Sequence, residues 1–302
     1  IHDSAVNPND GRLYILLDDD LLHLDARSQK PIVDIETGIM GRSLAIDSDA
    51  GTLLIGTEDG SVLSRSLYDS SEMPNLREPT GLQNAGIYSI SVDDYGTVWA
   101  AGNCSIHFKP IGEEVWSEYD YCPTINIETP SDMMIIGDSV YLATTNAGVH
   151  ILNYITTSSS GSVSVTVDSQ TDWSTQNFLS SDQITDLEVV GNHLLIATAD
   201  SGINRRDLTA QSWIATWSTN NWLASNQIHG LSLTPGWLHI LAGTTIHAYD
   251  TNTLIFQSQN QLSQLGLYGN GVMAIAWPAH PSRGPISSTA LFSDGSGTLG
   301  MQ

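Results

Sequence analysis

Residues 178–213 read FLSSDQITDLEVVGNHLLIATADSGINRRDLTAQSW, and this stretch indicates the fold. It contains three short apolar runs, which begin at Ile184, Leu194 and Gly202 and are separated by polar turns. A fourth, more variable run carries Trp213. Short β-rich runs bounded by Gly, Asp and Asn are typical of strands joined by tight turns. The stretch therefore predicts a small four-stranded sheet.

Counterparts of these runs recur along the whole chain. Further first runs begin at residues 43, 88, 132, 228 and 272, second runs at 12, 52, 97, 140 and 238, and third runs at 21, 61, 105, 148 and 245. The units are residues 1–40, 41–85, 86–129, 130–181, 182–225, 226–269 and 270–302. Four short strands at a period of about 44 residues are typical of a propeller blade. We therefore expect an all-β chain forming one domain over residues 1–302, a seven-bladed β-propeller of four-stranded antiparallel blades.

The last unit is shorter than the others and predicts only three strands. A three-stranded blade would leave an edge with unpaired backbone groups, which invites pairing with further chain or another subunit. The sequence also begins at Ile1 rather than Met. Both observations favour a segment of a longer surface protein.

The charge balance excludes several classes of partner. Ten Lys and Arg stand against 33 Asp and Glu, for a net charge of −23. Nucleic-acid binding depends on clustered basic residues, so a nucleic-acid partner is not expected. No apolar run approaches the length of a membrane span, so we do not expect membrane insertion. A Lys-poor acidic surface suits extracellular, periplasmic or cell-surface surroundings, although an acidic surface without a specific partner is the alternative.

The repeat resembles a known family. Residues 178–187 and 194–213, the similar opening at 222–231 and the similar centre at 55–62 resemble the two-component-regulator propeller repeat. That repeat reads roughly L-P-S-N-Q-V-x-x-L, then L-W-I-G-T-x-x-G-G-L-x-R-Y-D and a later W. The resemblance implies a seven-bladed periplasmic or extracellular sensing propeller of a kind that often binds glycan fragments.

Candidate ligand-binding residues lie in the loops that meet at one end of the channel of a propeller. They are short polar side chains and one arginine at corresponding places in successive units: Arg42, Asn84, Asp132, Asp182, Gln183, Asn226, Gln227 and Asn270. One interpretation is a ring that hydrogen-bonds a sugar or holds a structural cation such as calcium, with no other cofactor. The alternative is turn chemistry, since Asn, Asp and Ser close turns through backbone hydrogen bonds.

Other chemistry-bearing residues give weaker signals. Four histidines occupy the same third-strand position in different units: His23, His107, His150 and His247. Equivalent positions on separate blades cannot converge on one metal ion, so we expect them between blades or at the surface. Most aromatic residues fall at strand positions that favour packing between blades, with Trp222 and Trp237 as the exceptions. No catalytic residue is predicted, because no known catalytic motif is present.

We therefore expect a non-catalytic extracellular module that recognises a glycan or other polar ligand at the channel mouth. A structural or protein-interaction propeller within a larger assembly is the first alternative. A glycan-active hydrolase or lyase is the second, because propeller enzymes draw isolated acids from several blades.

Three local features yield structural expectations. Cys104 and Cys122 flank a hairpin that turns near Gly112, which places them opposite each other and predicts a disulfide. Extra residues 156–169 predict a Ser/Gly loop and a longer outer strand, which together form a protruding hairpin. Three prolines within residues 278–285 predict a stiff loop carrying Arg283, which either meets acidic neighbours or a partner or is an exposed arginine without a function.

Overall fold

A computed structural model describes the chain apart from residues 1, 8, 10–11, 18–19, 25–30, 37–39, 68–75, 80–85, 123–127, 160–161, 235, 262–290, 294–298 and 302. Every helix or strand assigned within the described residues is a β-strand. In the central strands nearly every residue is apolar and buried, as in Leu194 to Ala197. Such runs are typical of strands that are covered on both faces.

The described strands form six four-stranded sheets, which we call blades 1 to 6. Blade 1 comprises β1 (Asp3–Val6), β2 (Leu13–Leu16), β3 (Asp20–Leu24) and β4 (Pro31–Glu36). Blade 2 comprises β5 (Gly41–Asp47), β6 (Thr52–Thr57), β7 (Ser61–Ser66) and β8 (Leu76–Pro79). Blade 3 comprises β9 (Ser89–Val92), β10 (Val98–Ala101), β11 (Ser105–Lys109) and β12 (Ser117–Asp120).

The second half of the chain continues the pattern. Blade 4 comprises β13 (Pro130–Ile136), β14 (Ser139–Thr144), β15 (Val149–Ser159) and β16 (Ser162–Trp173). Blade 5 comprises β17 (Ile184–Val190), β18 (His193–Thr198), β19 (Ile203–Asp207) and β20 (Ser212–Trp217). Blade 6 comprises β21 (Ile228–Thr234), β22 (Trp237–Ala242), β23 (Thr245–Asp250) and β24 (Phe256–Gln261). A separate two-stranded pair, β25 (Leu291–Ser293) and β26 (Leu299–Met301), follows.

Within each blade the strands pair antiparallel in chain order, and the first strands of successive blades contact one another. The first strands therefore line the centre, and the fourth strands lie at the outside. Four of the first strands carry a β-bulge near their start, at Arg42, Ser131, Thr185 and His229. A bulge inserts one residue and re-aims the following side chain.

The prediction of seven blades is wrong. The structure has six four-stranded blades, and the described part of the predicted seventh unit contributes only the β25–β26 pair, with three residues in each strand. Within the described residues this unit shows two of the three strands expected of the last blade, and these two pair with each other. The repeat count gave seven because each set of apolar runs was taken as a blade, whereas a blade needs strands that pair into one sheet. The predicted strand at 272–277 and the proline-rich loop with Arg283 lie outside the described residues.

The core lies between blades rather than within them. Leu187 and Ile196 of blade 5 pack against Val149, Ile151 and the indole of Trp173 of blade 4. Comparable clusters join blades 1 and 2, 2 and 3, 3 and 4, and 5 and 6. Each sheet buries both faces only when a neighbour is present, so the blades stabilise one another.

The predicted disulfide is confirmed. Cys104 and Cys122 are joined, with Cα atoms 4.9 Å apart. The strand register differs by one residue from the expectation, because Ser105 pairs with Asp120 and the Cys104 carbonyl accepts the Tyr121 N–H. Cys104 has a φ of 62°, and this turn in the backbone accompanies the offset pairing.

The expected long hairpin in blade 4 is present but contains more strand than predicted. Strands β15 and β16 pair as far as Ser159 and Ser162, with one register shift between Asn153 and Tyr154, so residues 156–159 are strand rather than loop. Val165 packs with Tyr154 in the cluster between blades 3 and 4. Alternating Val and Thr residues favour strand, and this local preference extends the hairpin beyond the rest of the blade.

The requirement for glycine in the tight turn at Gly202 can be tested by substitution. Its φ is +85°, and a Cβ there would overlap the carbonyl oxygen of Trp217, whereas Gly191 has a φ of +59° with open space around it. Gly202→Ala should lower the free energy of unfolding by about 3 kcal/mol through strain and steric overlap. Gly191→Ala should cost about 1 kcal/mol from the backbone conformation alone. Equal losses in urea denaturation would contradict the proposed overlap.

The disulfide gives a second stability prediction. It closes a loop with a sequence separation of 18, and such a cross-link restricts the unfolded chain. The double variant Cys104→Ala, Cys122→Ala should lose about 3 kcal/mol of unfolding free energy in urea. Reduction of the unmodified protein should produce a similar loss. If neither treatment moves the urea midpoint, the bond does not stabilise the fold.

Candidate functional site

Two sets of loops lie on the same side of the propeller. Strand direction alternates within each blade, so the loops from fourth to first strands and from second to third strands share one side. We call this side the upper face, and the opposite side the lower face. The upper face carries the candidate ligand-binding residues Arg42, Asp182, Gln183, Asn226 and Gln227.

Backbone hydrogen bonds join the upper-face loops into a belt. In blade 5 the N–H of Ala199 donates to the carbonyl of Gln183 over 2.9 Å, and the N–H of Gly202 donates to the carbonyl of Asn226 over 2.9 Å. The second-to-third loop of blade 5 is thereby tied to the loops on both of its sides. Blade 4 repeats the arrangement through Thr145 and Gly148. The belt therefore holds neighbouring loops in fixed relative positions.

Two predicted ligand-binding residues hold turns. The carboxylate of Asp182 accepts the Thr175 N–H at 2.6 Å and its hydroxyl at 2.7 Å. Asn226 accepts the Thr219 N–H at 2.8 Å at the equivalent position. This is the turn chemistry that the sequence left as an alternative, and a ligand-binding role for these residues stays a prediction.

The other predicted residues do not join them in one ring. Gln183 and Gln227 are exposed on the upper face, and Asn84 and Asn270 lie outside the described residues. Arg42 pairs with Glu58 at 2.7 Å and lies 4.8 Å from the centre of the Tyr88 ring. Asp132 lies instead in the central channel.

Three aspartates at equivalent positions join first strands across the centre. Asp3 accepts the N–H of Leu44 on the next blade at 2.7 Å. In the same way, a carboxylate oxygen of Asp132 accepts the Leu187 N–H at 2.9 Å, and one of Asp186 accepts the Leu231 N–H at 2.6 Å. Each of the three also accepts the N–H of its own following residue. These residues therefore connect blade 1 to 2, blade 4 to 5, and blade 5 to 6.

The channel carboxylates titrate abnormally. Burial raises the pKa of Asp3 to about 7, and burial also raises the pKa of Glu188 to about 7. The pKa of Asp186 is raised well above its ordinary value by burial and by the negative charge of Asp132, to which it is hydrogen-bonded. Sequence reasoning selected Asp132 but missed Asp186 and Glu188. Alignment of Asp186 with Asp132 in the repeat is the signal that could have found the first of them.

Two buried histidines of third strands make hydrogen bonds to the loop that precedes their blade. The imidazole of His150 is bonded to Glu128 at 2.5 Å and to Asp172 at 2.7 Å, and the Nε2 atom of His247 accepts the Ala224 N–H at 3.2 Å. The contacts with Glu128 and Ala224 attach third strands to the preceding loop, and the contact with Asp172 joins His150 to the fourth strand of its own blade. Across the described ranges, no group of three or more His, Cys, Asp or Glu is arranged to hold a metal ion.

An aromatic pair on the upper face completes the site. Phe178 and Trp222 occupy equivalent loop positions at the junctions of blades 4 and 5 and of blades 5 and 6. Their side chains are 51% and 55% exposed, more than any other aromatic side chain that the structure describes. The sequence interpretation singled out Trp222 but missed Phe178.

The two turns that present these rings have the same geometry. The N–H of Phe178 donates to the Ser174 carbonyl, and that of Trp222 donates to the Ser218 carbonyl. In the first turn the Asn177 side chain accepts the Ser174 N–H and donates to the Asp172 carbonyl. In the second turn the Asn221 side chain accepts the Ser218 N–H and donates to the Thr216 carbonyl. The Phe178 ring also stacks on Trp213, with centroids 5.7 Å apart.

Comparison with known proteins supports the architecture. No family model matches the sequence, and no curated protein matches it significantly. The WD40 β-propeller domain of Doa1 is similar, with a TM-score of 0.70 and 12% identity over 99% of this chain and 91% of that one. The β-propeller domain of Cps50 (Swd1) from Myceliophteria thermophila gives 0.64 and 14% over 99% and 95%. The fold is a β-propeller. A chain of the mitotic checkpoint complex gives 0.68 and 11% over 99% and 85%.

These similarities establish the propeller and nothing finer. The propeller implied by the two-component-regulator resemblance is confirmed, but no family model supports that particular type. The comparisons lend no support to glycan sensing or to an extracellular location. In the part of the chain that the structure describes, no helix is long and apolar enough to cross a membrane.

The channel carboxylates predict a pH effect that one substitution isolates. Because the folded state raises the pKa of Asp186, its contribution to stability is complete below the unfolded pKa and is lost as pH rises through the folded pKa. Asp186→Asn removes this loss, and the Leu187 N–H keeps Asp132 as an acceptor. The melting temperature of the variant relative to the unmodified protein should therefore be higher at pH 8 than at pH 5.

The test must compare the melting temperature of Asp186→Asn with that of the unmodified protein at each pH, because buried histidines titrate over the same pH range. Burial lowers the pKa of His229, His239 and His247, so their contribution to stability rises as pH rises toward their unfolded value. Asp49→Asn, in an exposed turn, serves as the control and should differ from the unmodified protein equally at both pH values. A pH-independent difference for Asp186→Asn as well would contradict the assignment.

Proposed function

We propose that this propeller is a protein-interaction module that binds its partner through the upper face. The observation that carries the proposal is the exposure of Phe178 and Trp222 on two turns of the same design. Large aromatic residues dominate the energetics of protein interfaces when they are desolvated at the centre of a contact. Tryptophan on a fixed turn loses little conformational freedom on binding.

The rigidity of the upper face supports the same function. The belt of backbone hydrogen bonds holds the loops of blades 4, 5 and 6 before any partner arrives. A preorganised surface avoids the entropic cost of ordering loops on association. One similar structure is a chain of the mitotic checkpoint complex, a multiprotein assembly, and this accords with a propeller that binds proteins.

A glycan ligand is the competing interpretation, because exposed aromatic rings can also stack on sugars. The polar residues expected to bind it are in part occupied, since Asp182 and Asn226 bond within their own loops. We further propose an oxidising compartment such as the periplasm, the cell surface or the extracellular space. The Cys104–Cys122 disulfide supports this location, because such bonds persist in oxidising surroundings.

Site-directed photo-crosslinking tests the face that binds. A benzophenone amino acid replaces Trp222 on the upper face in one variant and Trp237 on the lower face in a matched variant, and each is irradiated in extract from the producing organism. We expect discrete protein adducts from position 222 and none from position 237. The same variants are applied to an oligosaccharide array.

The outcomes separate the two interpretations. Protein adducts confined to position 222 support the proposal. Adducts at position 237 alone would place the interface on the lower face and overturn it. Binding to oligosaccharides that the Trp222 replacement abolishes, without protein adducts, would favour the glycan interpretation instead.

A further inference from the structure

We propose that Phe178, Asp200 and Trp222 form a cleft that binds an arginine side chain of a basic segment in the partner protein. The inference rests on the proposed protein-interaction function and specifies the chemistry of the partner. It joins two observations that are independent of each other: the attachment of a loop with an exposed carboxylate to both loops that carry exposed rings, and the charge of the upper face.

The belt places Asp200 between the two aromatic turns. Asp200 lies in the second-to-third loop of blade 5, directly after Ala199 and two residues before Gly202. Ala199 bonds to the carbonyl of Gln183, at the end of the loop that presents Phe178. Gly202 bonds to the carbonyl of Asn226, in the loop that presents Trp222. One short loop is therefore hydrogen-bonded to both loops that carry the exposed rings, and Asp200 lies between its two points of attachment.

The Asp200 side chain is available for a partner. It is exposed, and within the described residues it makes no side-chain hydrogen bond or ion pair. The carboxylate of Asp182 in the neighbouring loop is occupied by Thr175. Among the upper-face carboxylates of blade 5 and its junctions, Asp200 is thus the one that can accept hydrogen bonds from outside.

Charge complementarity favours a basic occupant. The chain carries a net charge of −23. The upper-face loops that the structure describes contain Glu58, Asp59, Glu128, Asp182 and Asp200 and no lysine or arginine. Arg42, at the start of β5 beside these loops, is paired with Glu58. Complementary potentials raise the rate of association and disfavour partners of like charge. An acidic partner segment would be repelled from this surface.

The protein itself shows how arginine meets its aromatic rings. The guanidinium of Arg205 lies 4.5 Å from the centre of the Trp217 ring, and that of Arg206 lies 4.8 Å from Trp173 and 5.3 Å from Trp213. A planar guanidinium stacks on a ring and still directs N–H groups at a carboxylate. Phe178 and Trp222 supply faces of this kind and Asp200 supplies the acceptor, so arginine fits better than the compact ammonium of lysine.

Peptide binding to the purified chain tests the cleft. The probe is a short fluorescein-labelled peptide in which arginine alternates with glycine, measured by fluorescence anisotropy at about 0.15 M salt to limit long-range attraction. Matched peptides replace arginine with lysine or with glutamine. We expect the arginine peptide to bind most tightly, the lysine peptide several-fold more weakly and the glutamine peptide not at all.

Substitutions then locate the bound peptide. Trp222→Ala and Phe178→Ala should each weaken binding of the arginine peptide about tenfold, and Asp200→Asn about fivefold. Trp222→Phe, which keeps an aromatic face, should retain most of the affinity. The matched controls on the lower face are Trp237→Ala for an exposed tryptophan and Asp94→Asn for an exposed aspartate, and each should change binding less than twofold.

Three results would overturn the inference. The first is an arginine peptide that does not bind. The second is binding that falls equally in the upper-face and lower-face variants, which would show diffuse attraction to an acidic chain. The third is equal affinity for the arginine and lysine peptides. If any of these results occurs while protein adducts still form at position 222, the arginine-binding cleft is wrong but the protein-interaction function is still supported. If the adducts are absent as well, both proposals are wrong.

Discussion

The fold depends on each blade having a neighbour. A four-stranded sheet with a continuous apolar central strand, such as Leu194 to Ala197, can bury both faces only between two other sheets. At the inner edge this dependence becomes specific, because Asp132 and Asp186 accept backbone N–H groups of the following blade. This arrangement buries several carboxylates along the central channel. The raised pKa values of Asp3 and Glu188 are the electrostatic consequence of that arrangement.

The same ring geometry shapes the upper face. The second-to-third loops of blades 4 and 5 are each hydrogen-bonded to the loops before and after them, so small turns that would be flexible in isolation become parts of one belt. Residues such as Asp182 and Asn226 maintain those turns. Phe178, Asp200 and Trp222 are exposed in the same loops. Under the proposed function, different residues of these loops therefore hold the turns and bind the partner.

The Cys104–Cys122 disulfide and the β15–β16 hairpin each depend on both local sequence and tertiary packing. The spacing of Cys104 and Cys122 was sufficient to predict their bond, because both lie on one hairpin. The one-residue offset in register was not predictable, since it accompanies a positive φ at Cys104. The longer β15–β16 hairpin follows from its Val and Thr content, and its attachment to blade 3 through Val165 depends on tertiary packing.

The sequence by itself determined the all-β class, the repeating four-stranded unit and the candidate loops, because alternation, turn residues and repeat spacing are local properties. It did not determine the number of complete blades, since strand pairing in the last unit depends on contacts that a repeat count does not contain. Nor did it show which polar side chains in those loops hold turns. Only the tertiary structure shows this, because the carboxylates of Asp182 and Asp200 are chemically alike, and of the two Asp182 accepts the hydrogen bonds from Thr175.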